Sequence, residues 1–440
     1  MREATITVDR LAYGGSGFGR MDGKACFVPF TAPGDVVRVR LLRETRSYAE
    51  AEIIELLESS PLRVEPPCPH FGRCGGCHWQ QLGYTAQVAA KEEIFADSLW
   101  RLARVERERV LPPLSAPDPW GYRSRLQLKL HGGVQEFRIG FFAPGSHTVV
   151  DLPGGCPVAH PALNQALALL RPVVEEFPQR NLIPQIDLAA GDDGAVVMTV
   201  HYQGEQPRMV EEFWRRHQGR LAPIAGAVLR RGKRGPVTKL FGRQRLTYAL
   251  FLPADDGAGE ELRLAFSAGS FSQVNYGQNR ALVQMALEWS SPAVGERVLD
   301  LCCGNGNFSL PFARRAGEVV GLETGEGSVA DARRNAVLHR MNNVRFEVLD
   351  GAVGLRRFIA AGERFDLVIL DPPRGGAAEM SHLLGGVGAA RILYVSCDPQ
   401  TLGRDLAALQ KGGYRVVKSR LVEMFPQTYH MESLTLLERL

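Results

Sequence analysis

No stretch of this 440-residue sequence reaches the roughly 18 consecutive apolar residues of a membrane-crossing helix, so an α-helical membrane protein is excluded. The opening MREATITVDR has no apolar core of the signal-peptide kind, and cytoplasm is the expected compartment. Cysteine is scarce. Eight in 440 residues cannot build a disulfide scaffold, so each is expected to serve as a thiol, a metal ligand or a nucleophile. An excess of one charge is also missing: a net +4 permits an anionic partner without demanding one. With 45% apolar and 23% charged residues neither disorder nor a fibre is indicated, and the length suits two or three domains.

Three blocks are present. From Ala4 to Glu55, short β segments punctuated by glycine and proline (TITVDRLAY, GGSGFGRMDGKACFVPF, DVVRVRLLRETRSYAEAEIIEL) predict a small OB-like β-barrel over 1–58, with Cys26 in its core. Pro61 to Pro67 reads as a linker, followed by CPHFGRCGGC and a helical stretch from about Tyr84 to Arg104. Residues 59–268 are expected to form a central α+β domain, with strands such as SRLQLKL, FRIGFF and GAVVMTVHY and a helix near 160–177; the 84–104 helix is a candidate to pack on the block that follows. From 269 to 440 the rhythm turns to βαβα. RVLDL, EVVGLE, VRFEVLD, DLVILD and RILYVS are near-continuous apolar strands of the kind buried on both faces of a parallel, doubly wound sheet.

The segment VLDLCCGNGNF places a glycine-rich turn after the first of those strands, with a spacing that is not the dinucleotide GxGxxG fingerprint. Asp300 precedes the turn. Glu323 ends the next strand, where a carboxylate can accept from both ribose hydroxyls of an adenosine moiety. The combination resembles the Rossmann-like S-adenosylmethionine-dependent methyltransferases. Asp350 stands where such enzymes meet the adenine, although an isolated aspartate there also reads as a helix cap. Two further strand ends carry Asp371-Pro-Pro-Arg374 and Ser396-Cys397-Asp398-Pro399. A cysteine so placed, followed by Asp-Pro and a helix, is expected to feel a helix-terminal dipole that favours thiolate. A thiolate suits one chemistry well: carbon 5 of uracil is too weak a nucleophile to take a methyl from a sulfonium until a thiolate adds at carbon 6, and a base must then remove the carbon 5 proton.

Ser-Cys-Asp-Pro at 396–399, Asp-Pro-Pro-Arg at 371–374, Phe-Ser-Gln-Val-Asn at 271–275 and Met-Phe-Pro-Gln-Thr-Tyr-His-Met-Glu-Ser at 424–433 resemble, in order and spacing, the RNA uracil-5-methyltransferase family. The resemblance spans essentially the whole chain and is nearest to the bacterial 23S rRNA 5-methyluridine methyltransferases, which carry an N-terminal TRAM domain and a [4Fe-4S] cluster. It implies Cys397 as nucleophile and Glu432 as base, with Gln273, Cys302, Asn307, Glu323, Asp350 and Asp371 toward S-adenosylmethionine. Position 302 departs from the pattern: an aromatic is usual there, and cysteine offers less stacking surface.

Cys68, Cys74 and Cys77 form a compact trio, with Cys156 in GGCPVAH as the natural fourth ligand; on spacing alone four thiolates suit zinc and an iron–sulfur cluster equally. The resemblance implies the cluster, in a structural or RNA-positioning role, since methyl transfer from a sulfonium needs no electron. VLRRGKRGPVTKLFGRQR, Val228 to Arg245, holds seven basic residues and no acidic one, a pattern that meets phosphates as readily as it makes a solvated loop. The expected partner is RNA, 23S rRNA by the resemblance, with the target uridine flipped out of any stack and held by aromatics for which Phe271, Tyr276 and Phe425 are candidates. A monomer is expected. Alternatives that stay open are a tRNA loop uridine as target, amino-group methylation of a purine, disfavoured because Arg374 rather than an aromatic follows Asp-Pro-Pro, and a non-catalytic iron–sulfur RNA-binding protein.

Overall fold

The computed structural model describes residues 2–132, 136–232, 235, 237–252 and 259–440. The first block is the expected barrel: Glu3–Leu11, Gly17–Met21, Lys24–Val28, Val36–Glu44 and Tyr48–Glu58 close on themselves, which leaves no unpaired sheet edge. Alternation sends Ile6, Val8, Val28, Val37, Val39 and the fully buried Cys26 inward. Buried Asp35 ties the barrel to the linker, accepting from Arg63 (2.8 Å) and from the backbone amides of Ala32 (2.6 Å) and Ser60 (3.0 Å). Burial alone would push its carboxyl up, but the Arg63 contacts outweigh that and hold it below the usual range.

The central block is a seven-stranded sheet running Val237–Gly242, Ile224–Arg231, Val196–Tyr202, Gln185–Ala190, Arg125–Gly132, Phe137–Phe142, Val149–Asp151 in spatial order. The helices Pro161–Glu175 and Pro207–His217 bury Leu163, Leu167, Leu170, Val210 and Trp214 in the core it shares with them.

The last block is an eight-stranded sheet whose spatial order is Val344–Val348, Glu318–Glu323, Arg297–Leu301, Leu367–Leu370, Arg391–Ser396, Glu432–Arg439, Tyr414–Val422, Val110–Leu114. The first five strands are parallel, and Glu432–Arg439 is antiparallel to both its neighbours. The chain order reverses between Arg297–Leu301 and Leu367–Leu370, and ligands of doubly wound sheets bind in the crevice at the carboxyl ends there. Among the described residues no helix is long and apolar enough to cross a membrane.

The expected division at 268/269 follows the chain but not the packing. Val110–Leu114 pairs in parallel with Tyr414–Val422, and the ribbon Arg245–Leu252 with Glu260–Ser267 buries Leu246, Tyr248, Leu250, Leu264 and Phe266 in the core that also holds Leu282, Phe308 and Leu393. Helix Tyr84–Ala103 does pack on the last block, against helix Pro399–Lys411. The two approach so closely that a methyl group at Gly403 would stand 2.6 Å from Leu102 Cβ.

That helix carries Lys91, fully buried, whose Nζ donates to Glu423 (2.5 Å), itself 1% exposed, and to the Phe425 carbonyl (3.0 Å). A buried charge stripped of its partner is costly, so Lys91→Met is expected to lower unfolding free energy by about 3–5 kcal/mol, while Lys91→Met with Glu423→Leu recovers part of the loss. Calorimetric unfolding of the single and double variants checks this; a double variant no better than the single contradicts it.

Candidate active site

At the reversal of strand order lies a cavity of about 290 Å³ whose lining includes Cys302, Glu323, Asp350, Pro373 and Met380. The turn beneath it is left-handed at Cys302 (φ 65°), Gly304 (φ 56°) and Gly306 (φ 90°). Only the first of these has a Cβ to accommodate, a local strain of the kind that collects at binding sites. The Glu323 carboxylate is fixed by the amides of Gly325 (2.7 Å) and Gly304 (3.3 Å). Asp350 both lines the cavity and caps helix Gly351–Ala360 through Ala352 N (3.0 Å) and Val353 N (3.1 Å), so the helix-cap reading and the ligand-side position hold together.

Asp300 is fully buried; Ser309 Oγ donates to one carboxylate oxygen, and the other has no partner among the described residues. Burial pushes its carboxyl up to about 7. Asp371 is pushed up to about 7 as well, by burial first and then by Asp300 and Glu323. Three carboxylates crowded at one point favour a cationic ligand. Three of the six expected cofactor residues, Asp371, Asn307 and Gln273, stand apart from this cavity's lining. Asn307 is spent in a reciprocal amide pair with Asn279 (2.9 Å each way) and also accepts from Tyr248 (3.0 Å), while Gln273 is buried with its carbonyl accepting from Ser124 Oγ (3.4 Å).

Cys397 and Glu432 meet across two strands. Ser396 pairs with Ser433 in the antiparallel ladder, so the next residue out on each side is Cys397 and Glu432, at the edge of the sheet that carries the cavity. Glu432 is 3% exposed, and its carboxyl is held well above its usual range by burial and by Asp371, with Arg374 opposing. The Cys397 thiol is likewise pushed up to about 12, by burial, Glu432 and Asp371, again with Arg374 opposing. This corrects the expectation of a dipole-stabilised thiolate: the amide ends of helix Pro399–Lys411 are already taken by Asp398, which accepts from Gln400 N (2.8 Å) and Thr401 N (3.0 Å). The thiol opens on a pocket of only about 40 Å³ walled by Tyr13, Arg374, Asp398, Tyr429, His430 and Met431.

The loop leading to Glu432 is held by hydrogen bonds from several other segments. Beyond Lys91, Gln87 exchanges hydrogen bonds with Gln427 (2.9 Å each), Gln427 O accepts from the amides of His78 (2.9 Å) and Trp79 (3.1 Å), and Gln278 Nε2 donates to Glu423 O (3.1 Å). Of the three aromatics expected to hold a base, Tyr276 is a packing residue, stacked on Tyr248 at 5.3 Å with its hydroxyl on Ala190 O (2.8 Å). Phe425 is half-buried near His430 (6.1 Å), and Phe271 is 63% exposed. The aromatics that do stand at the thiol, Tyr13 and Tyr429, were not singled out in the sequence.

Cys68, Cys74, Cys77 and Cys156 line one cavity of about 340 Å³, together with Arg123, Arg374 and His430. All four thiols are free. Burial pushes Cys77 up to about 12 and Cys156 up to about 11, and the other thiols of the group add to it. Gly76 N donates to Cys74 Sγ (3.4 Å). Among the described residues no three His, Cys, Asp or Glu side chains are gathered closely enough to hold one metal ion. Lys233 and Arg234 of the basic stretch lie outside the described residues. Of the rest, Arg243 and Arg245 face Asp193 (3.4 Å) and Asp331 (3.8 Å), while Arg231 and Lys239 are exposed.

Residues 84–440 match the family described as tRNA (Uracil-5-)-methyltransferase, and residues 2–54 match the TRAM domain. The chain is 37% identical to the 23S rRNA (uracil(1939)-C(5))-methyltransferase RlmD of Alkalilimnicola ehrlichii, over 99% of this chain and 96% of that protein. It is 35% identical to the protein of the same name from Methylococcus capsulatus, over 98% and 96%. Among solved structures, the Pyrococcus abyssi tRNA (uracil-54, C5)-methyltransferase in complex with S-adenosyl-L-homocysteine superposes with a TM-score of 0.72 at 25% identity, over 98% of this chain and 100% of that one. With the family matched over most of its length and relatives of this identity matched end to end, the chain belongs to the RNA uracil-5-methyltransferases, with a TRAM domain at its N-terminus.

Proposed function

We propose that the chain transfers a methyl group from S-adenosylmethionine to carbon 5 of a uridine in 23S rRNA, with Cys397 as nucleophile and Glu432 as base. The observation that carries it is the placing of a thiol and a buried carboxyl on adjoining strand ends beside the Glu323 cavity. The rRNA substrate is supported by relatives so named that cover 98–99% of the chain. The Pyrococcus relative, named for a tRNA uridine, supports tRNA as the second reading; methylating separated rRNA and tRNA fractions decides between them.

The residues present suit S-adenosylmethionine. Glu323 fits a ribose, Asp350 an adenine, and the crowded carboxylates of Asp300 and Asp371, one with an unpartnered oxygen, fit a cationic amino acid and sulfonium. When bound, that molecule supplies the methyl group. The Cys397 thiol loses its proton to solvent, its sulfur forms a bond to carbon 6, and the electrons of the C5–C6 double bond pass to carbon 5 and its neighbouring carbonyl. Once carbon 5 carries the methyl, Glu432 takes its proton, the ring double bond re-forms and the S–C6 bond breaks, returning Cys397. A carboxyl held this high is a stronger base, once ionised, than an ordinary one. Arg374 is the cation that offsets negative charge beside the thiol. The pocket at Cys397, about 40 Å³, has room for only a few water molecules, so a flipped uracil must part its walls.

Four thiols facing one cavity, an amide donating to sulfur and two arginines in the wall are compatible with a [4Fe-4S] cluster, the reading the family resemblance favours over zinc. Cys68, Cys74, Cys77 and Cys156 would hold the cluster, so its binding would tie the 68–77 segment to the loop that carries Cys156.

In Glu432→Gln, methylated RNA is expected to accumulate attached to the protein, seen by denaturing electrophoresis with labelled methyl donor; Cys397→Ala is expected to give none. Normal turnover by Glu432→Gln contradicts the base assignment. Because the reactive thiolate is disfavoured at neutral pH, the rate of adduct formation with 5-fluorouridine RNA is expected to rise roughly tenfold per pH unit between about pH 6 and 8. A flat profile contradicts it. Cys74→Ser is expected to lose iron and RNA affinity while still binding S-adenosylmethionine; full RNA affinity without iron removes the positioning role.

A further inference from the structure

The N-terminal barrel reaches the reacting thiol. Its hairpin at residues 12–16 is seated on the loop before Glu432: Trp79 Nε1 donates to Gly15 O (2.8 Å), and a methyl group at Gly15 would stand 2.8 Å from Tyr429 Cδ1. Tyr13, 42% exposed, donates its hydroxyl hydrogen to Asp398, the residue next to Cys397, and meets Tyr429 edge-on at 6.3 Å. Tyr13 is also common to two cavities. One is the small pocket of Cys397, and the other is a groove of about 340 Å³ between the barrel and helix Tyr84–Ala103.

The groove has the size of a small-molecule site, which the Cys397 pocket lacks. Its barrel wall holds Phe18 and Phe27 at 5.9 Å and Arg10, whose guanidinium lies over Phe18 at 5.5 Å; Arg20, outside the groove's lining, lies over the same ring at 5.7 Å. Its helix wall carries Asp97 and Arg101. Aromatic faces flanked by arginine are the common means of holding unpaired bases without reading their sequence. Asp97 makes the interior less suited to a phosphate than to a base, whose amino groups a carboxylate can accept from.

We infer that this groove is a subsite for a nucleotide adjacent to the target uridine, with Tyr13 as the partition: the nucleotide stacks against its ring, while its hydroxyl, through Asp398, positions the turn that carries Cys397. The inference rests on the proposed reaction and adds a role for the barrel that goes past capture of RNA. It makes occupation of the groove and placement of the nucleophile two ends of one side chain. Tyr13 touches substrate in this account but takes no part in bond making.

The test uses the full-length protein and a synthetic RNA spanning the uridine that the wild type methylates, with an abasic sugar placed at the flanking nucleotide on one side or the other. Tyr13→Ala is expected to weaken RNA binding about 10-fold, and one of the two abasic RNAs to bind wild type about 10-fold more weakly, with the variant and that RNA together no worse than either alone. Tyr13→Phe, which keeps the ring, is expected to bind RNA as wild type does but to slow single-turnover methylation about 3- to 10-fold. Wild-type affinity in Tyr13→Ala, or losses that multiply to about 100-fold, overturns the stacking role; an unchanged single-turnover rate in Tyr13→Phe overturns the positioning role. A wild type that methylates no RNA would instead refute the proposed reaction.

Discussion

The ion pair of Lys91 with Glu423 fastens the loop that leads to Glu432. The segment 423–431 connects the last two strands; Met424 and Met431 anchor it in the two cores of the last block, and several of its polar groups are met from outside, by Lys91 and Gln87 on one helix, by Gln278 on another and by the 78–79 amides. A buried pair of this kind contributes little net stability but penalises every arrangement in which one partner is missing. The consequence is positional. With Glu423 fixed, Tyr429 and His430 face the thiol pocket, and Glu432 enters its strand opposite Cys397. The helix that supplies Lys91 is distant in sequence from the sheet it serves, and it also forms one wall of the groove beneath the barrel.

The electrostatics of the site disfavour a Cys397 thiolate. Burial raises the carboxyls of Asp300, Asp371 and Glu432, Asp371 adds to the rise at both Cys397 and Glu432, and Arg374 opposes it at those two groups. Buried carboxyls gathered in this way favour a cationic ligand. A sulfonium donor is a cation of the right kind: its charge favours ionisation of the groups around it, and the same carboxylates that suppress the thiol are those that would attract it.

Much of this was legible in the sequence, for identifiable reasons. The parallel sheet announced itself through unbroken apolar strands, and Glu323, Asp350, Asp371 and Cys397 could be placed together at its carboxyl ends because each follows or ends such a strand. The barrel was readable from period-two alternation, with Cys26 inside it. Other contacts were not legible. The polar atoms of Asn307 and Tyr276, both expected at the site by their place in motifs, bond to Asn279 and Ala190, partners no local pattern reveals. The thiolate expectation counted a helix terminus without counting Asp398, the residue that already caps it. Tyr13 lies 385 residues from its partner, in a hairpin whose sequence says only turn. Strand Val110–Leu114, VLPPL, contains two prolines and joins the sheet at its edge, where missing amide donors are tolerated.

The central claim is that Cys397 bonds to the base it helps to methylate, with a proton on carbon 5 as the last obstacle. Intact-mass measurement of the wild-type protein after incubation with S-adenosylmethionine and a 23S rRNA fragment carrying 5-fluorouridine tests this directly, because fluorine at carbon 5 cannot leave as a proton. The account predicts a complex heavier by the RNA and one methyl group, with the link in the peptide that contains Cys397 after digestion. Methylation of ordinary RNA by a protein that forms no such complex, or a link at another cysteine, would contradict it.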